Sequence, residues 1–488
     1  MHRAPATNFR SVPGTSFVGG AARGCSGWIP AVLLALVVAG CGDERAVPRL
    51  VDGDGIDPLV LDTIARTADA VEKASGNPRG WAQLGELYYA HDYLDSALRC
   101  FDAAIELGPE DPKAWYLRGV VRKRQGDDRG AIEDIEAAIR LDTETPHVRW
   151  RAAHWYREAG DLERAERLAT DAVKLSKGDR NSRRTLALVA LEAGRPEQAI
   201  KLLQPIVRAN PKDRETRSTL VRAWGMSGDQ EAAEREAILA GDVKPNYFDP
   251  WLDAAITRRT DLPFWIRRAQ RISRQGDPVS GRRILESVLK RWYPDAREVG
   301  YTEGVILMAE DRHAESAVLF ESLVAVHPDW SQAMMMAAAA MIADGGGDPA
   351  TDQRAAKLLQ RSMEIEPNND ATRLMMVGIL GRSGDLDRAR GLMEALVESQ
   401  GWVVQHRLEL ADLQRRSGDP EAALITLDQA QNVFGPSLGI NLKRAAALLD
   451  LDRLDEAAAE ITLARSRADR PLAEIRRLEI RLQKASLP

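Results

Sequence analysis

The apolar and small positions of this chain follow a pattern that returns every 34 residues. Trp81, Leu84, Gly85, Tyr88, Ala97, Phe101, Ala104 and Pro109 make up the first unit. One step of 34 lands on Trp115, Gly119, Ala131, Ile135 and Ala138, and further steps land on Ala165 and Ala172, on Ala199 and on Ala233. The register returns as Ala389, Ala423 and Ala457. Period-two alternation is absent, so the pattern predicts helices and no strands. Small residues at Gly85, Gly119, Ala97 and Ala131 let two antiparallel helices approach closely, while Trp81, Tyr88 and Phe101 fill the space between them. Glycine-centred turns at Gly126-Asp127, Gly160-Asp161, Gly194-Arg195, Gly228-Asp229, Gly276-Asp277, Gly384-Asp385 and Gly418-Asp419 end one helix and start the next. Pro109, Pro211, Pro328 and Pro367 stop the second helix. A hairpin of this kind exposes apolar faces that only its neighbours cover, so the units are expected to stack.

The spacing W-x2-L-G-x2-Y, A-x3-F and P resembles the tetratricopeptide repeat. The resemblance implies an all-α, TPR-type α-solenoid, a right-handed superhelix of antiparallel helix pairs with about eleven repeats in two blocks. By register the units run 78–111, 112–145, 146–179, 180–213 and 214–247, then 262–295, 297–330, 331–369, 370–403, 404–437 and 438–471. The eighth carries an insertion around Gly345-Gly346-Gly347-Asp348-Pro349. The expected organisation is a cleaved signal at 1–40 and a lipidated N-terminus with a flexible tether at 41–60. A cap helix and the first block follow at 61–247, then a Pro/aromatic joint at 248–262, the second block at 263–471 and a C-terminal capping helix at 472–488. Between units 5 and 6 the rhythm breaks at Lys244-Pro245-Asn246-Tyr247-Phe248-Asp249-Pro250-Trp251. That segment reads as a joint between two solenoid blocks; the alternative is a segment that lies in a groove and packs its aromatics there.

The N-terminus changes the picture. Residues 1–40 hold Arg3, Arg10 and Arg23 and no acid, and an apolar run ends in Val38-Ala39-Gly40-Cys41. That run is too short for a confident membrane span of ~20 residues. The tetrapeptide resembles the bacterial lipobox, which implies cleavage before Cys41, acylation of its thiol and export to a bacterial membrane facing the periplasm. Gly42 follows the cysteine, so the aspartate that retains some such proteins at the inner membrane is missing from that place, and which membrane stays open. With two or three acyl chains the anchor is effectively stable.

Composition closes off most chemistry. The net charge of -6 offers no global reason to expect nucleic acid. Cys25, Cys41 and Cys100 lack C-x-x-C spacing, and Asp52, Asp54 and Asp57 lack the later ligands of a calcium loop. None of the seven histidines forms H-E-x-x-H, and there is no phosphate-binding glycine loop or nucleophile elbow. No catalytic residue, metal or cofactor is expected, and an enzyme is not the reading.

What remains is surface. In the repeat family, positions 2, 5, 9, 12 and 13 of the first helix line the concave groove. On units 2 to 4 these include Lys113, Tyr116, Lys123, Arg124, His147, Trp150, His154, Arg157, Asn181 and Arg184, a basic and aromatic set that suits an acidic or extended peptide. The alternative is a solvated face without a ligand. The chaperone-tail clamp of the family places Lys and Asn where this chain has Tyr116, Val120, Trp150 and His154, so that tail is not the expected ligand. In the second block the same positions read Tyr301, Val305, Met308, Met335, Ile342 and Leu374, an apolar second groove, unless a tight superhelix buries it. The expected function is a lipid-anchored scaffold that binds other proteins or peptides in the bacterial cell envelope. Two alternatives stay open: an assembly or glycan-binding subunit of a polysaccharide export machine, and a periplasmic companion of a redox enzyme.

Overall fold

Every regular element of the computed structural model is a helix among the residues it describes, which are 46–50, 55–241, 243, 247–468 and 472–486. The signal segment, the lipobox and Cys41 lie outside the described residues. Arg45–Pro488 forms one compact unit.

The 34-residue register becomes a series of helix pairs. The first five are Pro78–Ala90 with Leu94–Leu107, Pro112–Arg124 with Asp128–Leu141, Pro146–Glu158 with Leu162–Leu175, Arg180–Glu192 with Pro196–Ala209, and Arg214–Ser227 with Gln230–Ala240. In the sixth, Leu262–Arg274 packs on Pro278–Ile284, which continues through a π-helical turn, Leu285–Leu289, into Lys290–Trp292. The last five are Arg297–Ala309 with His313–Val326, Ser331–Gly345 with Pro349–Ile365, Asp370–Ser383 with Leu386–Ser399, Val404–Arg416 with Pro420–Phe434, and Leu438–Asp450 with Leu454–Arg467. Pro58–Lys73 covers the front of the stack and Ala473–Ala485 the back. Each pair packs within itself, and every pair except the fifth packs on the next, as a solenoid requires; the stacking is interrupted between the fifth and sixth pairs.

Local chemistry sets the helix ends. Proline occupies the first helical position at Pro78, Pro112 and Pro146, where its missing N–H costs nothing. Asp111, Asp127, Asp161 and Asp213 accept bonds from the free N–H groups of the helices they precede. The turn inside each pair needs one left-handed residue. Gly126 supplies it at φ 85°, and repeats 1, 7 and 11 use Asp92, Asp311 and Asp452 instead. Aspartate tolerates that region better than most side chains.

Close approach explains the small positions. A Cβ on Gly85 would lie 2.9 Å from the Phe101 ring, and one on Gly119 would lie 3.2 Å from the Ala131 carbonyl oxygen. Ala97, Ala131, Ala165 and Ala199 are fully buried at the crossings. Cys100 belongs to the same core, and burial pushes its thiol up to about 12, which removes the reactive thiolate.

The insertion of the eighth unit is taken up by its two helices, which lengthen to 15 and 17 residues with only a short turn between them. The structure departs from the expected organisation in two places. Residues 46–50, expected in the flexible tether, lie against the front of the stack. Tyr88 donates to the Pro48 carbonyl, and Arg49 pairs with Asp69 and with Glu72 at 2.9 Å. The joint after the fifth repeat is not wholly irregular, because Pro250–Ile256 is a helix capped by Asp249.

The array also meets itself five repeats on. The Arg214 guanidinium lies 3.9 Å above the Trp402 ring, and helix Gln230–Ala240 touches Pro420–Phe434. Trp402 sits in the short turn that leads into the tenth repeat. Among the described residues no helix is long and apolar enough to cross a membrane.

Candidate partner groove

The first helices of repeats 1 to 4 present one row of side chains, and the segment that follows repeat 5 lies along it. The Tyr247 ring sits 5.3 Å from Trp150 and 4.6 Å from His154, with the Arg184 guanidinium 4.5 Å over its face. Asn181 donates through Nδ2 to the Phe248 carbonyl at 2.9 Å, which is recognition of main chain. The Phe248 side chain itself points away and is 65% exposed. Asp249 is 1% exposed and is the polar centre of the contact. It accepts from the Tyr116 hydroxyl and from Arg151 at 2.9 Å, and its other oxygen caps the helix through the amides of Trp251 and Leu252. Trp251 then packs edge-on against Tyr116 and His147 at 5.4 and 4.7 Å. Such aromatic pairs add ~0.5–1.5 kcal/mol each beyond buried area.

The contact continues toward the second block. Ala255 enters the core of the first repeats, Arg258 pairs with Glu86, and the Thr260 amide donates to His91 Nε2 at 3.2 Å. Asp57, ahead of the front cap helix, accepts from the Leu262 amide at 2.9 Å and from the Tyr293 hydroxyl at 2.6 Å.

The electrostatics differ from an open basic cleft. Burial, aided by Arg157, Arg151 and Arg184, holds His154 down to about 3, and burial lowers His147 as well, so both imidazoles are neutral at ordinary pH. His154 Nε2 lies 3.1 Å from the Thr185 hydroxyl. Tyr116 stays protonated because burial pushes its hydroxyl far up, which suits its role as donor to Asp249.

The expected cations are engaged rather than open. Lys113 pairs with Glu86, Lys123 with Asp128 and Glu158, Arg124 with Asp92, Arg157 with Glu192, and Arg184 with Glu215. The reason is the stacking: apart from Asp128, which follows Lys123 in its own repeat, the acids come from the adjoining repeats, and a repeat-by-repeat reading of one position does not see them. Tyr116, His147, Trp150, His154, Asn181 and Arg184 do come together, but around the chain's own segment. Lys123 and Arg124 lie at the rim.

Arg151, Glu86 and His91 were not among the expected groove residues. Arg151 stands at position 6 of its helix, beside the expected position 5, and turns inward because Asp249 gives it a buried partner. The signal available in sequence was Asp249 itself, a lone acid between aromatics in the break.

In the second groove Val305 is buried against Phe320 and Ala337, and Tyr301 stacks near Trp330 at 5.3 Å. Met308, Met335 and Ile342 pack against the core of repeats 8 to 10, whereas Leu374 stays exposed. This row is therefore mostly packing surface. Among the described residues no cluster of His, Cys, Asp and Glu could hold a metal ion.

Residues 83–146 and 374–438 match one tetratricopeptide repeat model, and residues 156–223 match another. These stretches are tetratricopeptide repeats. The matched spans fall in both blocks of the tetratricopeptide array and include the helices that hold Tyr116 and Arg184. No enzyme family is among the matches. No curated protein matches the chain. Among solved structures the array is similar to yeast Tom70, with 14% identity over 84% of this chain and 95% of that one and a TM-score of 0.33. It is also similar to YrrB, described as a TPR protein with an unusual peptide-binding site, with 17% identity over 41% and 94% and a TM-score of 0.32. A third is the P58(IPK) TPR domain, with 16% identity over 84% and 98% and a TM-score of 0.26.

Proposed function

We propose that this chain is a membrane-anchored tetratricopeptide adaptor of the bacterial cell envelope, exported and lipidated at Cys41, which holds other proteins through an extended segment of theirs. One observation carries the protein-binding part. The row from Tyr116 to Arg184 binds an extended stretch through a main-chain carbonyl, a buried carboxylate and two aromatic side chains. That is the chemistry of peptide recognition, and nothing in it depends on the stretch belonging to the same chain. The anchor rests on the acid-free leader and on Val38-Ala39-Gly40-Cys41.

A photo-crosslinking residue in place of Arg124, at the exposed rim of the groove, tests the binding reading in cells. Defined protein adducts are expected at Arg124 and not at exposed Val279 on the sixth repeat. Adducts to saccharide alone, or no adduct at Arg124, would refute it. For the anchor, Cys41→Ser is expected to abolish labelling by a fatty-acid analogue and to leave a precursor 40 residues longer. Undiminished labelling of the serine form would remove lipidation from the proposal.

A further inference from the structure

The internal segment fills the groove, yet it fits imperfectly. Among the described residues, Tyr247 Oη, His147 Nε2 and Asn181 Oδ1 are buried without a hydrogen-bond partner, and all three lie where Tyr247 to Trp251 meets the row. Buried polar atoms are nearly always paired, and leaving one unpaired weakens binding about tenfold or more. Beside these gaps stand contacts of high quality: the carboxylate of Asp249 on Arg151 and Tyr116, and the carbonyl of Phe248 on Asn181. Good anchors combined with unmet polar atoms describe an occupant that holds the site without being its best ligand.

We infer that Tyr247–Trp251 is an internal pseudo-ligand, displaced by a partner protein that presents an extended aromatic–any–aspartate–any–aromatic segment. This rests on the protein-binding reading above and specifies its site and its ligand. The spacing follows from the occupant: an aromatic for Trp150 and His154, an exposed residue whose carbonyl meets Asn181, an aspartate for Arg151, and a second aromatic two residues on for Tyr116 and His147. The partner segment gains affinity where it lacks the buried hydroxyl of Tyr247 or brings polar groups to His147 Nε2 and Asn181 Oδ1. The rim is already neutralised by Asp92, Asp128 and Glu158, so recognition is local to the central aspartate rather than a response to overall acidity. While the segment is docked, the apparent affinity of a competitor is lowered by the fraction of molecules with an open groove.

The test uses the full chain and a fluorescein-labelled synthetic peptide that covers residues 243–256. Wild type is expected to bind the peptide weakly. Trp251→Ala in the chain removes one anchor of the internal segment and should tighten peptide binding about tenfold or more. Tyr247→Phe in the chain removes the unpaired hydroxyl, strengthens the lock and should weaken peptide binding by about tenfold. The same Tyr247→Phe change placed in the peptide should strengthen it. Arg151→Met should erase the gain made by Trp251→Ala. Asp249→Asn, which keeps an acceptor for the helix cap and removes the charge, guards against a variant that merely misfolds and should also raise peptide affinity.

Equal peptide affinity for wild type, Trp251→Ala and Asp249→Asn, each with an intact cooperative melt, would overturn the inference, as would a gain that survives Arg151→Met. Crosslinked protein partners at Arg124 alongside such a result would leave the adaptor reading standing and remove only the pseudo-ligand.

Discussion

Asp249→Ala is expected to release the segment from Tyr247 to Leu262 from the first block, at a cost of about 3–5 kcal/mol. The carboxylate is all but sealed from solvent, and it is the acceptor for Arg151 and for Tyr116. Its removal leaves a guanidinium and a phenol without their shared acceptor, and it deletes the N-cap of Pro250–Ile256, itself worth about 1 kcal/mol. The loss is local, since the repeats on either side keep their own cores. Amide exchange of peptides spanning 247–262 should rise by orders of magnitude, and limited proteolysis should cut near Thr257 to Thr260. Phe248→Ala, at an exposed side chain, is the control and should stay within about 0.5 kcal/mol of wild type. Unchanged protection of 247–262 in Asp249→Ala would mean that the aromatic contacts alone hold the segment.

Phe101→Ala should destabilise the front of the array by about 3–5 kcal/mol, through lost transfer energy and a cavity between the helices of the first repeat. The ring is fully buried and lies against Gly85, whose missing side chain makes room for it. Neither helix can collapse freely into the space, because Trp81 and Tyr88 already fill the flanking positions. In a stacked array each unit leans on its neighbours, so the damage should spread over 58–141 and fade beyond. Hydrogen exchange is expected to show early opening of Leu94–Leu107 and Pro58–Lys73 while Val404–Arg416 and Leu438–Asp450 keep wild-type protection. Uniform loss of protection along the whole chain would instead mark the array as one cooperative block.

These two residues differ in how far they were readable beforehand. Phe101 announces itself: it stands four residues after Ala97, an alanine that recurs with the 34-residue period and is followed at the same distance by Ile135, Leu203, Met393, Leu427 and Ile461, so position within the unit predicts burial and partner together. Asp249 does not. It lies in the break between units 5 and 6, and its partners, Tyr116 and Arg151, are 133 and 98 residues away. The groove shows the same division. The expected Tyr116, His147, Trp150 and Arg184 do converge, because positions repeated on stacked helices must form a row. That the row is filled, and that Lys123, Arg124 and Arg157 are already paired, follows from acids on neighbouring repeats and from the path of the joint.

Sequence alone determined the repeat: the helix pairs, the glycine-centred turns between them and the small positions at the crossings. All of these rest on interactions within about one unit, where the spacing of side chains along a helix dictates what can touch. Tertiary structure decided what the stack encloses. The course of Tyr247–Thr260 through the groove, the meeting of Arg214 with Trp402 and the inward turn of Arg151 arise from small inter-repeat rotations summed over many units. Such a sum is set by packing between helices, and no local pattern of apolar and polar residues encodes it.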